Sequence, residues 1–80
     1  MFPFSEQNNI RIFDQEVNED ELVWHRDRED RIVEAVDDTD WQFQFDNELP
    51  QKIDKIFIPK DTYHRIIKGK GNLKIKVTKL

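Results

Sequence analysis

The chain has 80 residues, enough for one domain over 1–80 whose core is small, since a chain of this size buries only about 60–65% of the surface it exposes when unfolded. It contains no cysteine, which excludes a disulfide framework, a thiolate metal site and a cysteine nucleophile. The net charge of −4 is unevenly spread: residues 1–50 carry 4 Lys/Arg against 15 Asp/Glu, and residues 51–80 carry 9 against 2.

Such asymmetry can mark a nucleic-acid or membrane surface. The plainer reading is that acidic and basic strands become neighbours and neutralise each other. The one basic strip, Lys68, Lys70, Lys74, Lys76 and Lys79, has neither interleaved aromatics nor arginine, so nucleic acid is a disfavoured partner. No apolar run approaches the ~18 residues of a membrane span. Residues 1–6 lack the basic and apolar regions of a signal peptide, so a cytoplasmic protein with no membrane partner is expected. The only serine is Ser5, and there is no Gly-x-Ser-x-Gly or phosphate-binding loop to suggest a catalytic triad or a nucleotide site.

Strand signals recur along the chain. Residues 1–9 read as an N-terminal arm, where Phe2 and Phe4 cap the end of the domain or form a subunit contact. Residues 10–13 are the first strand, 21–25 the second and 30–36 the third. Residues 41–45 alternate strictly, with Trp41, Phe43 and Phe45 on the core face and glutamines on the other. Residues 55–58 form a short apolar run stopped by Pro59, and 62–68 and 73–79 complete the set. In the last strand Leu73, Ile75 and Val77 alternate with outward Lys74 and Lys76. The turn at 69–72 holds both glycines of the chain, as a positive φ requires. Seven short strands with polar turns and no helical period point to a small all-β sandwich or barrel.

The only two histidines are His25 and His64. On a strand, residues i and i+2 share a face, roughly 6.5–7 Å apart, so His25 and Asp27 can converge. If a second strand brings His64 to the same spot, two imidazoles and a carboxylate meet. That is the ligand set of a non-haem iron facial triad, and it also suits manganese, nickel or zinc.

The residues from Trp24 to Val77 resemble a single-domain cupin, a small double-stranded β-helix or jelly roll. The cupin second motif runs Gly, five residues, Pro-x-Gly-x-x-His, then Asn. Here Pro59 and His64 are in place, Asp61 replaces the turn glycine, and Lys68 takes the Asn position. Asp tolerates the left-handed region better than most residues, so the turn is expected to survive. In the first motif His25 matches the first His and Asp27 occupies the second His position. Arg31 or Ile32 falls where the Glu ligand belongs, and Asp37, Asp38 or Asp40 lies near the expected glycine. A 2-oxoglutarate-dependent oxygenase has a similar His-x-Asp…His pattern, but this chain is short and has no arginine after Arg65. The resemblance implies a metal-binding protein with His25, Asp27 and His64 as ligands and open positions for a small molecule, an arrangement that suits metal-dependent enzyme chemistry.

Arg31 supports a different reading. Facing inward, it pairs with Asp27, repels a divalent cation and fills the vacant ligand position, leaving a metal-free scaffold. It can then serve, with Tyr63, His25 and His64, as a site for a small anionic ligand, or the domain can act as a protein-interaction module. Facing outward, it is one more solvated member of the charge run 26–31. Strand alternation sends Tyr63 away from His64. A core this small is also compatible with a homodimer.

Overall fold

The computed structural model describes residues 4–19 and 22–80. Eight strands follow one another: β1 (Ser5–Gln7), β2 (Ile10–Phe13), β3 (Arg31–Ala35), β4 (Gln42–Phe45), β5 (Gln51–Lys52), β6 (Lys55–Ile58), β7 (His64–Ile67) and β8 (Leu73–Lys79). No α-helix occurs among the described residues, and no helix is long and apolar enough to cross a membrane. The strands form two antiparallel sheets, one ordered β1-β2-β8-β3-β6 and the other β5-β4-β7.

The alternation of β8 has the expected outcome. Leu73, Ile75 and Val77 are buried while Lys74 and Lys76 are exposed. Phe13, Val33, Ile56 and Ile58 join them from the same sheet, and Phe43 of β4, Trp41 just before it and Ile53 just after β5 complete the core. Aromatic pairs carry part of this packing, with Phe4 on Phe13 at 5.2 Å and Phe13 on Trp41 at 6.0 Å between ring centroids. Phe45 is only partly buried and meets Phe43 edge-on at 4.8 Å. The acidic and basic halves of the chain do become neighbours, since Glu34 is in register with both Lys55 and Lys76.

Three expectations change. Residues 5–7 of the presumed arm pair with β2 as an edge strand, through a turn with Asn8 and Asn9 both at positive φ (52° and 68°). That is the dihedral signature of a tight hairpin turn, and asparagine is among the residues that tolerate it. Phe4 caps the core as expected, whereas Phe2 lies outside the described residues. The strand expected over 21–25 shrinks to one bridge residue, His25, because the segment touches β7 there and then turns toward the β6–β7 turn; Glu21 lies outside the described residues. The third change is β5, which adds a short strand beside β4.

The turn before β8 holds its two glycines for different reasons. Gly71 has φ +69° and open space around it, so its need is conformational. Gly69 is packed against backbone: a Cβ there would lie 2.6 Å from Trp41 N and 2.8 Å from the Asp40 carbonyl carbon, and would collide with Asp40 Oδ1. That carboxylate oxygen accepts the Lys70 N–H at 2.8 Å, so it cannot yield freely. Urea denaturation should therefore rank the two alanine variants. Gly69→Ala is expected to cost about 2–3 kcal/mol through overpacking, and Gly71→Ala about 1 kcal/mol through backbone strain. Equal costs would remove the packing explanation.

Candidate metal centre

The geometry begins with backbone pairing. His25 N–H donates to the His64 carbonyl at 3.0 Å, and His64 N–H donates back to the His25 carbonyl at 2.9 Å. This antiparallel bridge sets the two residues directly opposite, with side chains on one face. Their rings meet edge-on with centroids 4.3 Å apart. On the other side of His64 the Phe43 ring lies nearly parallel, 5.4 Å away and 19° inclined. Two residues further on, the Asp27 carbonyl accepts the Asp61 N–H at 2.7 Å. Asp61 has φ +60°, so aspartate adopts the left-handed conformation that the missing turn glycine would have supplied.

An antiparallel bridge has a local two-fold axis, and the flanking residues obey it. Trp24-His25-Arg26 and Tyr63-His64-Arg65 are two copies of one pattern, aromatic–His–Arg. The arginine of each copy lies over the aromatic ring of the other: Arg65 over Trp24 at 4.7 Å and Arg26 over Tyr63 at 5.3 Å. Tyr63, expected at the ligand site, therefore sits on the opposite face from His64 and half exposed, where it holds Arg26.

Each imidazole also bonds the carbonyl two residues before it. His25 Nδ1 lies 2.9 Å from Val23 O, and His64 Nδ1 lies 2.8 Å from Thr62 O. A carbonyl only accepts, so each Nδ1 carries the proton and each Nε2 is left as the ligating atom. Such an outer hydrogen bond fixes ring orientation in metal-binding histidines. His64 is buried, and burial foremost pushes its pKa below 6.5 despite the Thr62 hydrogen bond. It is neutral at pH 7, so its Nε2, 3.4 Å from Asp27 Oδ2, forms no ion pair. Two acceptors face each other, and Asp27 Oδ2 is buried without a hydrogen-bond partner. The ligand-capable atoms of His25, Asp27 and His64 all lie within 4.8 Å of one another. An orphaned carboxylate oxygen facing a free imidazole nitrogen is a donor set that fits a cation.

Arg31 faces inward. Its register partner on β6 is the buried Ile58, and its side chain is only 13% exposed. Nη1 lies 3.4 Å from Asp27 Oδ1, so the anticipated pair forms but engages the oxygen other than the orphaned one. Glu29, which the sequence did not single out, holds the guanidinium more closely through Nη2 at 2.7 Å and Nε at 3.1 Å. The hydrogen bond from Arg31 holds the Glu29 carboxyl below its usual range. His25, Asp27, Arg31 and His64 line one end of a cavity of about 410 Å³ that reaches the buried core.

No family model matches the chain, and no curated protein matches it in sequence. Solved structures do share its fold. A proposed mannose-6-phosphate isomerase from Ralstonia eutropha JMP134 superposes with a TM-score of 0.64, over 99% of this chain and 82% of that one, at 14% identity. A Neisseria meningitidis protein superposes with a TM-score of 0.59, over 96% of this chain and 79% of that one, also at 14% identity. The likeness is one of fold: a small all-β domain of two antiparallel sheets, consistent with a cupin-like arrangement.

Two outcomes are expected. A double-mutant cycle on Trp24→Ala and Arg65→Ala, read by urea denaturation, should give a coupling of about 0.5–1 kcal/mol; additive losses would mean that the stacked pair does not clamp the bridge. The second concerns pH in chelator-treated protein. The unfolded imidazole titrates near 6.5 and the buried one below it, so on acidification the unfolded chain takes up a proton that the folded one refuses. Stability fully present above 6.5 should fall as pH drops through the window below it. His64→Gln should flatten that part of the profile; an unchanged slope would assign it to other groups.

Proposed function

We propose that this chain is a small cupin-like protein that holds a divalent transition metal through His25 Nε2, His64 Nε2 and the Asp27 carboxylate. The observation that carries the reading is the buried, unbonded Asp27 Oδ2 opposite the lone pair of His64. Without a cation, that desolvated oxygen lacks a hydrogen bond, a situation that costs about 1–3 kcal/mol. Two imidazoles and a carboxylate suit iron, manganese, nickel or zinc. When bound, such an ion offers Lewis-acid or oxygen-activating chemistry at its open positions. Val23 and Thr62 orient the imidazoles, Phe43 supports the His64 ring, and Glu29 draws the Arg31 guanidinium to one side.

A metal-free scaffold is the second reading, favoured by the 3.4 Å contact between Arg31 and Asp27. The Glu29 partner limits what Arg31 can offer to a small anion. A cysteine-free chain suits a reducing compartment, and the cytoplasm is the proposed location.

Metal content and metal-dependent thermal shift on protein purified without a histidine tag test the first reading. One ion per chain is expected, with a rise in stability of about 2.7 kcal/mol at a hundredfold excess over Kd. Asp27→Asn and His64→Ala should both lose the metal while the fold persists by circular dichroism. Asp27→Asn should also leave the apo protein about as stable as wild type, because an amide N–H in place of Oδ2 can donate to His64 Nε2 while the amide oxygen still faces Arg31. Stoichiometric metal retained in both variants would sink the site.

A further inference from the structure

The cavity beside His25 and His64 is apolar except at five side chains, namely Arg11, His25, Asp27, Arg31 and His64. Both arginines are engaged. Arg11 Nε donates to Glu6 Oε1 at 2.9 Å and its guanidinium lies 4.4 Å above the Phe4 ring, while Arg31 is held by Glu29 and Asp27. Each cation therefore already has a carboxylate partner, and Arg11 also lies against the Phe4 ring. The remaining polar atoms that face the cavity's polar end are acceptors: the two Nε2 lone pairs and the orphaned Asp27 Oδ2. The far wall is hydrocarbon, with Val33, Ile53, Ile75 and Val77 all buried. Sugar hydroxyls laid against that wall would lose their hydrogen bonds to water without replacement, a costly exchange. A volume of about 410 Å³ is within the range of small-molecule sites.

We propose that the cavity binds a neutral, mostly hydrocarbon or aromatic molecule bearing one hydroxyl, with the hydroxyl at the His25–Asp27–His64 end and the apolar body against the buried valines and isoleucines. The assignment rests on the reading of that cluster as the polar end of the site. It separates this chain from the sugar phosphate that the name of its Ralstonia structural neighbour specifies. In metal-free protein the hydroxyl donates to one of the three acceptors.

The test uses 1-naphthol as probe, with 1-methoxynaphthalene and mannose 6-phosphate as controls, on the full chain in chelator. Calorimetry should detect 1-naphthol binding and an upward thermal shift. The methoxy compound, which cannot donate, should bind about tenfold more weakly, and mannose 6-phosphate should give no shift. Ile66→Phe, which fills the partly buried rim of the core, should weaken 1-naphthol at least tenfold. Should that variant unfold, Leu22→Trp at another partly buried lining position makes the same measurement. No binding of 1-naphthol, equal binding in a folded cavity-filled variant, equal binding of the methoxy compound, or preferential binding of the sugar phosphate would each overturn the proposal. Because the probes are measured without metal, a failure here is independent of whether metal content supports or rejects the metal centre.

Discussion

The reciprocal backbone pair between His25 and His64 is the contact on which the candidate site depends. The segment between β2 and β3 contributes no regular strand among its described residues, yet it delivers two of the three candidate ligands. One pair of hydrogen bonds fixes it against β7, and the Asp27 carbonyl takes a third from Asp61. The crossed stacks of Trp24 with Arg65 and Tyr63 with Arg26 brace the same point from the outer face. Both faces of the bridge are therefore used, polar ligands within and cation–π pairs without. Stacks of this kind are worth only about 0.5–1 kcal/mol each at exposed sites. Their value here is positional, since a small shift of the segment would move His25 and Asp27 together.

The interior face is arranged in a way that an apo protein gains little from. Burial keeps His64 neutral, its Nδ1 proton is committed to Thr62, and its remaining lone pair is turned on a carboxylate oxygen that has no partner. A protein selected only for stability would relieve this with an asparagine or a reversed imidazole. Retaining two facing acceptors in a small core is the kind of local cost that accompanies function. It is also the reason that the charge of a cation, or the proton of a hydroxyl, has a natural place there.

Much of the architecture was legible because alternation and burial coincide. Leu73, Ile75 and Val77 point inward and the lysines between them outward, and Trp41 and Phe43 form the opposite wall. The convergence of His25, Asp27 and His64 was also legible, because an i, i+2 pair keeps its face even when the surrounding strand is reduced to a single bridge. The edge strand Ser5–Gln7 was not read, although Asn8-Asn9 is a hairpin turn signal. The outer clamp was missed for another reason. Val23-Trp24-His25-Arg26 and Thr62-Tyr63-His64-Arg65 repeat β-branched, aromatic, His and Arg, and a repeat so short is visible only once the two histidines are taken as a pair. Glu29 was hidden inside a charge run, where sequence cannot distinguish a residue that holds an inward arginine from a solvated neighbour.

Arg31 is the residue that separates this site from the cupin pattern it resembles, and its position is less hostile to a cation than its charge suggests. A guanidinium close to a divalent ion repels it, by about 4 kcal/mol per pair of unit charges at 4 Å and an effective dielectric of 20. Asp27 and Glu29 act in the opposite sense, and both touch Arg31 directly. With His64 neutral, the three formal charges sum to −1, so a divalent ion would meet a site of net negative charge. The shorter contacts run to Glu29, at 2.7 and 3.1 Å against 3.4 Å to Asp27, so the arginine leans away from the ligand set. Two carboxylates sharing one guanidinium thus do what one could not: Glu29 holds the cation, and Asp27 keeps an oxygen free. Arg31 would thus weaken a metal held there, while the apolar wall limits what else can enter.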